Sequence, residues 1–359
     1  MNPLLDLHKS TNAETQAYAD VEIVSTFGQM PMEYSAIHQS AGLMDLPQRG
    51  VIELTGPDRL PFLNNLISNQ TYDKQTKQGL AAGQGVYAFL LNAKSGRIIT
   101  DLNVIERGDR TFLELQRRLI PHVIDALEKY RFAEKVKIQS RAEELHHMTV
   151  HGPRSGFPEL PPLGSTEIEL AGVKVTLWRD DPTGHPGYHL IVPLDQARQV
   201  WINLIAKPIR PIGWAAFNAA RIEAGTPLFS IDFDETTLLH ETGPLLNKAV
   251  SFTKGCYPGQ EIVARMHARG GVARQIVGIR MNDDALPIAG TKIYDSSQNE
   301  IGGVTSSTIS PVLSNASIAM GIVKRPHFAV GTTVVIPAEG QMRQGKVVSM
   351  PFVGATAAT

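Results

Sequence analysis

Lys254-Gly255-Cys256-Tyr257-Pro258-Gly259-Gln260-Glu261-Ile262-Val263-Ala264-Arg265-Met266 is the densest stretch of this chain. Pro258 suits a first helical position and Glu261 a first turn. Ile262, Val263 and Met266 supply an apolar face, and Gly270-Gly271 ends the element. The reading places Cys256 at the mouth of a helix N-terminus, two residues after Lys254. Unpaired backbone N–H groups and the helix dipole favour an anion there. Cys256 is therefore a candidate reactive thiolate, with Lys254 stabilising its charge. A free cysteine is also often a small buried hydrophobe, so spacing alone leaves the two readings even.

The surrounding chain bounds the answer. Its 359 residues suffice for two to three domains. Lys+Arg total 34 and Asp+Glu 35, and a net charge of −1 argues against nucleic-acid or acidic-membrane binding through bulk charge. One cysteine excludes an intrachain disulfide and a Cys-only metal or cluster site within one chain. The start has no basic stretch followed by an apolar segment, and no run reaches the ~18 apolar residues of a membrane span. The expected address is cytoplasmic.

Upstream, Gly50-Val-Ile-Glu-Leu-Thr-Gly56 alternates as a strand, and Pro57-Asp58 suits the first turn of a helix carrying Leu60, Leu63 and Leu66. Strands are expected at 86–91, 97–106 and 111–116, with Arg107-Gly-Asp-Arg110 as a hairpin tip rather than an adhesion motif. A helix is expected at 119–130. A second half, from about 145, holds strands at 145–150, 166–170, 173–178 and 188–192 and helices at 194–205 and 214–224. Residues 1–30 read as an irregular leader with a short helix around 15–25. From 272 the texture becomes six short β-runs spaced by Gly, Pro, Asn and Asp, which reads as a small antiparallel barrel. The fold class is α+β: a body at 31–271 with lobes at about 31–144 and 145–271, a barrel at 272–353 and a frayed tail at 354–359.

Several motifs fail. Gly83-Gln-Gly85-Val-Tyr-Ala88 lacks the third glycine of a dinucleotide fingerprint. His146, His147 and His151 lie close together, with His147 and His151 on one strand face, but no carboxylate lies in the run, so structural histidines are expected rather than metal ligands. No metal site is assigned. Asn69-Gln-Thr71 and Asn315-Ala-Ser317 are sequons by spelling only.

The Lys254–Met266 stretch resembles the signature of the YgfZ family, folate-binding proteins linked to iron–sulfur cluster assembly that share a fold with the GcvT T-protein, a tetrahydrofolate-dependent aminomethyltransferase. Gly42-Leu-Met-Asp45, Arg49-Gly50 and Leu54-Thr-Gly-Pro-Asp58 are similar to the first strand–helix unit. Leu91 through Asp101-Leu102 resembles the hairpin with the folate-site acid, and Arg221-Ile-Glu-Ala-Gly225-x-Pro227 the helix end with the pterin-contacting glutamate. The likeness spans about 30 to 350.

It implies a reduced folate, tetrahydrofolate or a relative, held by Glu223 and Asp101 with Asn103, Phe217 and Arg221 nearby. Tyr257, Gln260 and Arg265 then hold the loop or touch the folate, and Cys256 with Lys254 serves a sulfur or cluster species shared transiently with iron–sulfur client or assembly proteins. Two departures bear on this. The two consecutive acids of the aminomethyltransferases read Thr100-Asp101 here, which weakens the transferase reading, and the Phe-x-Pro stretch expected before Lys254 is absent. The first expectation is thus an iron–sulfur assembly factor that binds folate. The alternative is a folate-dependent aminomethyltransferase, with Asp101 needed and Cys256 dispensable.

Overall fold

The computed structural model describes residues 2–354, the side chain of Arg269 excepted. Two antiparallel-type sheets and a closed barrel carry the fold. The first sheet runs in the order Lys137–Ser140, Arg49–Thr55, Arg110–Gln116, Ile98–Glu106, Gly85–Leu91. Its strands alternate, apart from a bulge where Leu90 pairs with Thr100 and Leu91 with Ile98. Leu102 and Val104 turn to one side, where Ile52, Leu54 and Leu113 also lie, and pack on the helices Arg59–Asn64 and Ile120–Glu128. Val51, Ile105 and Phe112 turn to the other and meet Trp178 and Ile191 of the second sheet.

The second sheet is ordered Ser165–Leu170, Val173–Arg179, Gly187–Pro193, Leu145–His151, Gly42–Asp45, Arg210–Pro211, with only the last pair parallel. Its outer face is covered by the helix Ala197–Ile205, through Val200, Trp201 and Leu204. The helices Met30–Gln39 and Trp214–Glu223 pack together around Tyr34, Ile37, Phe217 and Ala220. Gly42–Asp45 joins the second sheet by pairing with Leu145–His151, so the division at 144/145 does not separate the two sheets.

The first thirty residues depart from the expected leader. Leu5–Ser10 is a helix, and Glu14–Tyr18 pairs with Val21–Thr26 as a hairpin where a helix was expected. Leu4, Ile23 and Val24 are buried, and the four β-branched residues Val21, Ile23, Val24 and Thr26 explain the preference for a strand. His8 joins Asp45: His8 Nε2 lies 3.0 Å and His146 Nε2 2.6 Å from its two oxygens, and Asn2 Nδ2 donates to it at 2.9 Å. The two histidines hold the buried Asp45 carboxyl well below the usual range against its desolvation. The expected histidine cluster is thus divided among different partners, and among the described residues no His, Cys, Asp and Glu group is arranged to hold a metal ion.

The C-terminal barrel closes in the order Arg274–Met281, Ala316–Lys324, Glu300–Ser310, Lys292–Tyr294, Thr333–Ala338, Gln341–Val348. Arg221 rivets barrel to body. It is fully buried, pairs with Asp232, and donates to Ser306 Oγ of the barrel at 2.6 Å and to Asn218 Oδ1 at 2.8 Å. Past the barrel, the N–H groups of Phe352 and Val353 donate to the Glu223 carbonyl at 2.9 and 3.3 Å. Gly225, at φ +65°, lets this return segment approach: a Cβ there would stand 2.7 Å from Met350 Cβ. The expected tail lies, apart from Gly354, outside the described residues. No helix among the described residues is long and apolar enough to cross a membrane.

Candidate functional site

Between the sheets opens a cleft with one polar and one aromatic side. Its polar wall comes from adjacent strands of the first sheet: Arg49, Tyr87, Asp101, Asn103, Glu114 and Gln116. Asp101 and Asn103 share a face because strand side chains alternate, and Glu114 and Gln116 do the same on the neighbouring strand. The opposite side is apolar, with Trp214 and Phe217 at a ring-centroid distance of 5.7 Å, followed by Pro227, Leu228 and Phe229.

The polar wall is arranged around acceptors. Tyr87 Oη donates to Asp101 Oδ2 at 3.1 Å, while Asp101 Oδ1 is buried without a partner. Asn103 Nδ2 donates to Glu114 Oε2 at 3.0 Å, and Asn103 Oδ1 is likewise unpartnered, as is Gln48 Oε1. Buried polar atoms are normally satisfied, so three oxygens around one cleft await N–H or O–H donors. Burial raises the Asp101 pKa; Arg49 opposes and Glu114 adds to the rise. Glu114 is held well below the carboxylate range because Arg49 and His147 outweigh its desolvation. A charged Glu114 and an Asp101 that holds its proton more firmly than an ordinary carboxyl therefore stand side by side.

The structure brings Asp101, Asn103 and Phe217 together in this cleft and places the other expected residues elsewhere. Arg221 faces the barrel junction described above. Glu223 borders a neighbouring cavity that shares Thr226 with the cleft. Its Oε1 accepts from Tyr34 Oη at 2.7 Å and Ser310 Oγ at 2.5 Å, and Oε2 lies 3.3 Å from His38 Nε2.

The Lys254–Met266 stretch lies apart from both cavities. Its helix begins at Gln260 rather than Pro258, with Gly259 as a left-handed N-cap at φ +80°. A Cβ on Gly259 would press to 3.1 Å from the Asn92 carbonyl oxygen, so glycine seats this helix on the 92–96 turn. Cys256 is exposed. Lys254 is buried, and its ammonium donates to the carbonyls of Asn64 and Ile67, both at 2.5 Å, and Asn69 at 3.1 Å, 4.8 Å from the Tyr257 ring centroid. Its donors are thus committed to backbone carbonyls, a correction to the expectation that they serve the thiol. Burial, with Lys74 nearby, pushes Lys254 down to about 7; the carbonyls favour the charged form. Tyr257 is buried, and Arg265 pairs with Glu261 at 2.8 Å on the exposed helix face.

Sequence reasoning missed Arg49, Tyr87, Glu114 and His189. The signal for Glu114 was present: in Thr111-Phe-Leu-Glu-Leu-Gln116 a charge interrupts an otherwise apolar strand on the face of Phe112.

Comparison with known proteins agrees in extent with this architecture. The family model of the GCVT N-terminal domain matches residues 4–254, and that of the glycine cleavage T-protein C-terminal barrel domain matches residues 274–354. An aminomethyltransferase of Chloroherpeton thalassium is 26% identical over 371 residues, covering 98% of each chain. One of Bacillus subtilis is 25% identical over 366 residues, again covering 98% of each. Among solved structures, the glycine cleavage system aminomethyltransferase T of Bartonella henselae superposes with a TM-score of 0.87 at 25% identity, covering 98% of this chain and 97% of that one.

Proposed function

The chain belongs to the glycine cleavage T-protein family, and on that premise we propose that it binds a reduced folate in the central cleft and transfers an aminomethyl-type one-carbon unit. The observation that carries the reading is the set of unpartnered oxygens on Asp101, Asn103 and Gln48 opposite the rings of Trp214 and Phe217. A pterin is flat and rimmed with N–H groups, so it offers a face to the aromatic wall and donors to the oxygens. Asp101 is the acid at the centre of that set. Glu223 serves a ligand long enough to pass Thr226 into the neighbouring cavity. The relatives named aminomethyltransferase support the same reaction class. The setting is cytoplasmic on this reading.

Titration of the full chain with tetrahydrofolate, followed by tryptophan fluorescence, tests the assignment. Saturable binding that weakens strongly in Asp101→Ala is expected. Binding unaffected by that substitution moves the ligand out of the cleft.

A second reading, support of iron–sulfur assembly in the manner of the YgfZ family, rests on the exposure of Cys256. One cysteine cannot hold a cluster alone, so the thiol would act with a partner protein. The folate role is common to both readings, and the relatives named aminomethyltransferase favour the transferase.

A further inference from the structure

Behind the polar wall, three side chains form a line. Glu114 Oε1 lies 3.1 Å from His147 Nδ1, and His147 Nε2 lies 3.0 Å from His189 Nδ1. His147 Nδ1 faces Glu114 Oε1 off the ideal hydrogen-bond line, so the carboxylate acts on the ring mainly through its negative charge. His189 lines the cleft, and its second nitrogen, Nε2, is buried without a partner. Its ring is stacked on Trp178 at 4.0 Å and 21°, which holds its plane.

The line dictates tautomers. Glu114 is ionised, held by Arg49, and its negative charge favours a hydrogen over a lone pair on the His147 Nδ1 that faces it. Neutral His147 then presents a lone pair at Nε2. That lone pair can only accept, so His189 donates from Nδ1 and its own lone pair sits on Nε2. Burial and neighbouring histidines keep both rings neutral near pH 7.

We propose that His189 is a catalytic residue of the cleft, its Nε2 accepting a proton from the bound ligand, with His147 as the positioning residue that sets its tautomer through Glu114. The proposal rests on the folate reading above. In one-carbon transfer, a ligand nitrogen uses its lone pair to form the new N–C bond, and the donor's leaving group departs with the electrons of the bond that breaks. His189 Nε2 takes the proton shed by that nitrogen. The imidazolium so formed is stabilised by Glu114 through His147, and the proton returns to the leaving group or to water. The charges facing His189 are Glu114, which favours the imidazolium, and Arg49, which disfavours it; His147 and His151 are its titratable neighbours.

The test is nitrogen-15 NMR of the full chain labelled at histidine and tryptophan, with and without tetrahydrofolate. The Nδ1–H tautomer of His189 is expected in the free protein, with its Nε2 resonance shifting when tetrahydrofolate binds. The Nε2–H tautomer overturns the proposal. So does an unmoved His189 when the Trp214 indole resonance shifts, an outcome that leaves the folate reading intact. If neither resonance responds at saturating tetrahydrofolate, the folate reading fails and the proposal falls with it. His189→Asn is expected to slow transfer to tetrahydrofolate by roughly 100-fold or more, well beyond any effect on its affinity, and a rate equal to that of the parent protein also overturns the proposal.

Discussion

Arg49 grips Glu114 side-on, Nε meeting Oε1 at 2.5 Å and a terminal nitrogen meeting Oε2 at 2.6 Å. The two residues face each other across adjacent strands two residues out of register, Arg49 pairing with Gln116 and Glu114 with Val51. Glu114 is almost wholly buried. Removing one partner of such a pair strands the other charge. Arg49→Met is expected to cost about 3–5 kcal/mol, read as a lower urea midpoint. A midpoint unchanged from the parent would show that Glu114 finds compensation elsewhere.

Asp101 makes a different prediction, because one of its oxygens is already held by Tyr87 and the other is free. Tyr87→Phe removes the donor to Oδ2 while keeping the ring. Losing a hydrogen bond to a charged group is expected to raise the Kd for tetrahydrofolate by about tenfold, from roughly 1.5 kcal/mol. An equal Kd for the two proteins would show that Tyr87 does not orient the acid.

Acid should loosen the body. Burial, aided by His185, pushes His151 down to about 3, whereas an unfolded histidine titrates near 6.5. Above that value both states are neutral and no linkage acts. As pH falls from 6.5 toward 3 the unfolded chain takes up a proton that the folded one refuses. Stability then drops by roughly 1.4 kcal/mol per pH unit for such a group. Asp101, shifted upward, works in the opposite sense and offsets part of the loss. A falling Tm below pH 6.5 is expected, with a shallower slope in His151→Gln. A Tm that stays level down to pH 4 would contradict it.

Cys256 should react with a thiol reagent in the folded protein, at a rate that tetrahydrofolate leaves unchanged, since the residue is exposed and lies outside the cleft. Protection by tetrahydrofolate would mean that ligand and thiol meet, contrary to the geometry. Cys256→Ala should fold and transfer normally on the aminomethyltransferase reading. Loss of cluster-enzyme support in cells carrying it would instead favour the iron–sulfur reading.

Much of the fold was legible because periodicity reports burial locally. The alternation of Asp101 and Asn103 against Leu102 and Val104 is visible in four residues, and so is the change to short β-runs after 272. The cleft was less legible, because its wall joins residues far apart in sequence: Arg49, Glu114 and His189 come from three strands and two sheets. His147 shows the limit most clearly. In sequence it sits beside His146 and near His151, yet adjacent strand residues face opposite ways. His146 therefore reaches Asp45, and His147 reaches Glu114 and His189. The local motif at Lys254 was conspicuous for another reason: Gly259 and Lys254 answer the packing of a turn and of three carbonyls, which a motif alone does not reveal.

The polypeptide leaves the helix Trp214–Glu223, builds the barrel and comes back to hydrogen-bond the carbonyl of Glu223, the same residue whose carboxylate meets Ser310 of that barrel. Two moorings on one residue, with Arg221 riveted a half-turn away, leave no free pivot. Swinging the barrel aside as a rigid unit would break all three attachments together.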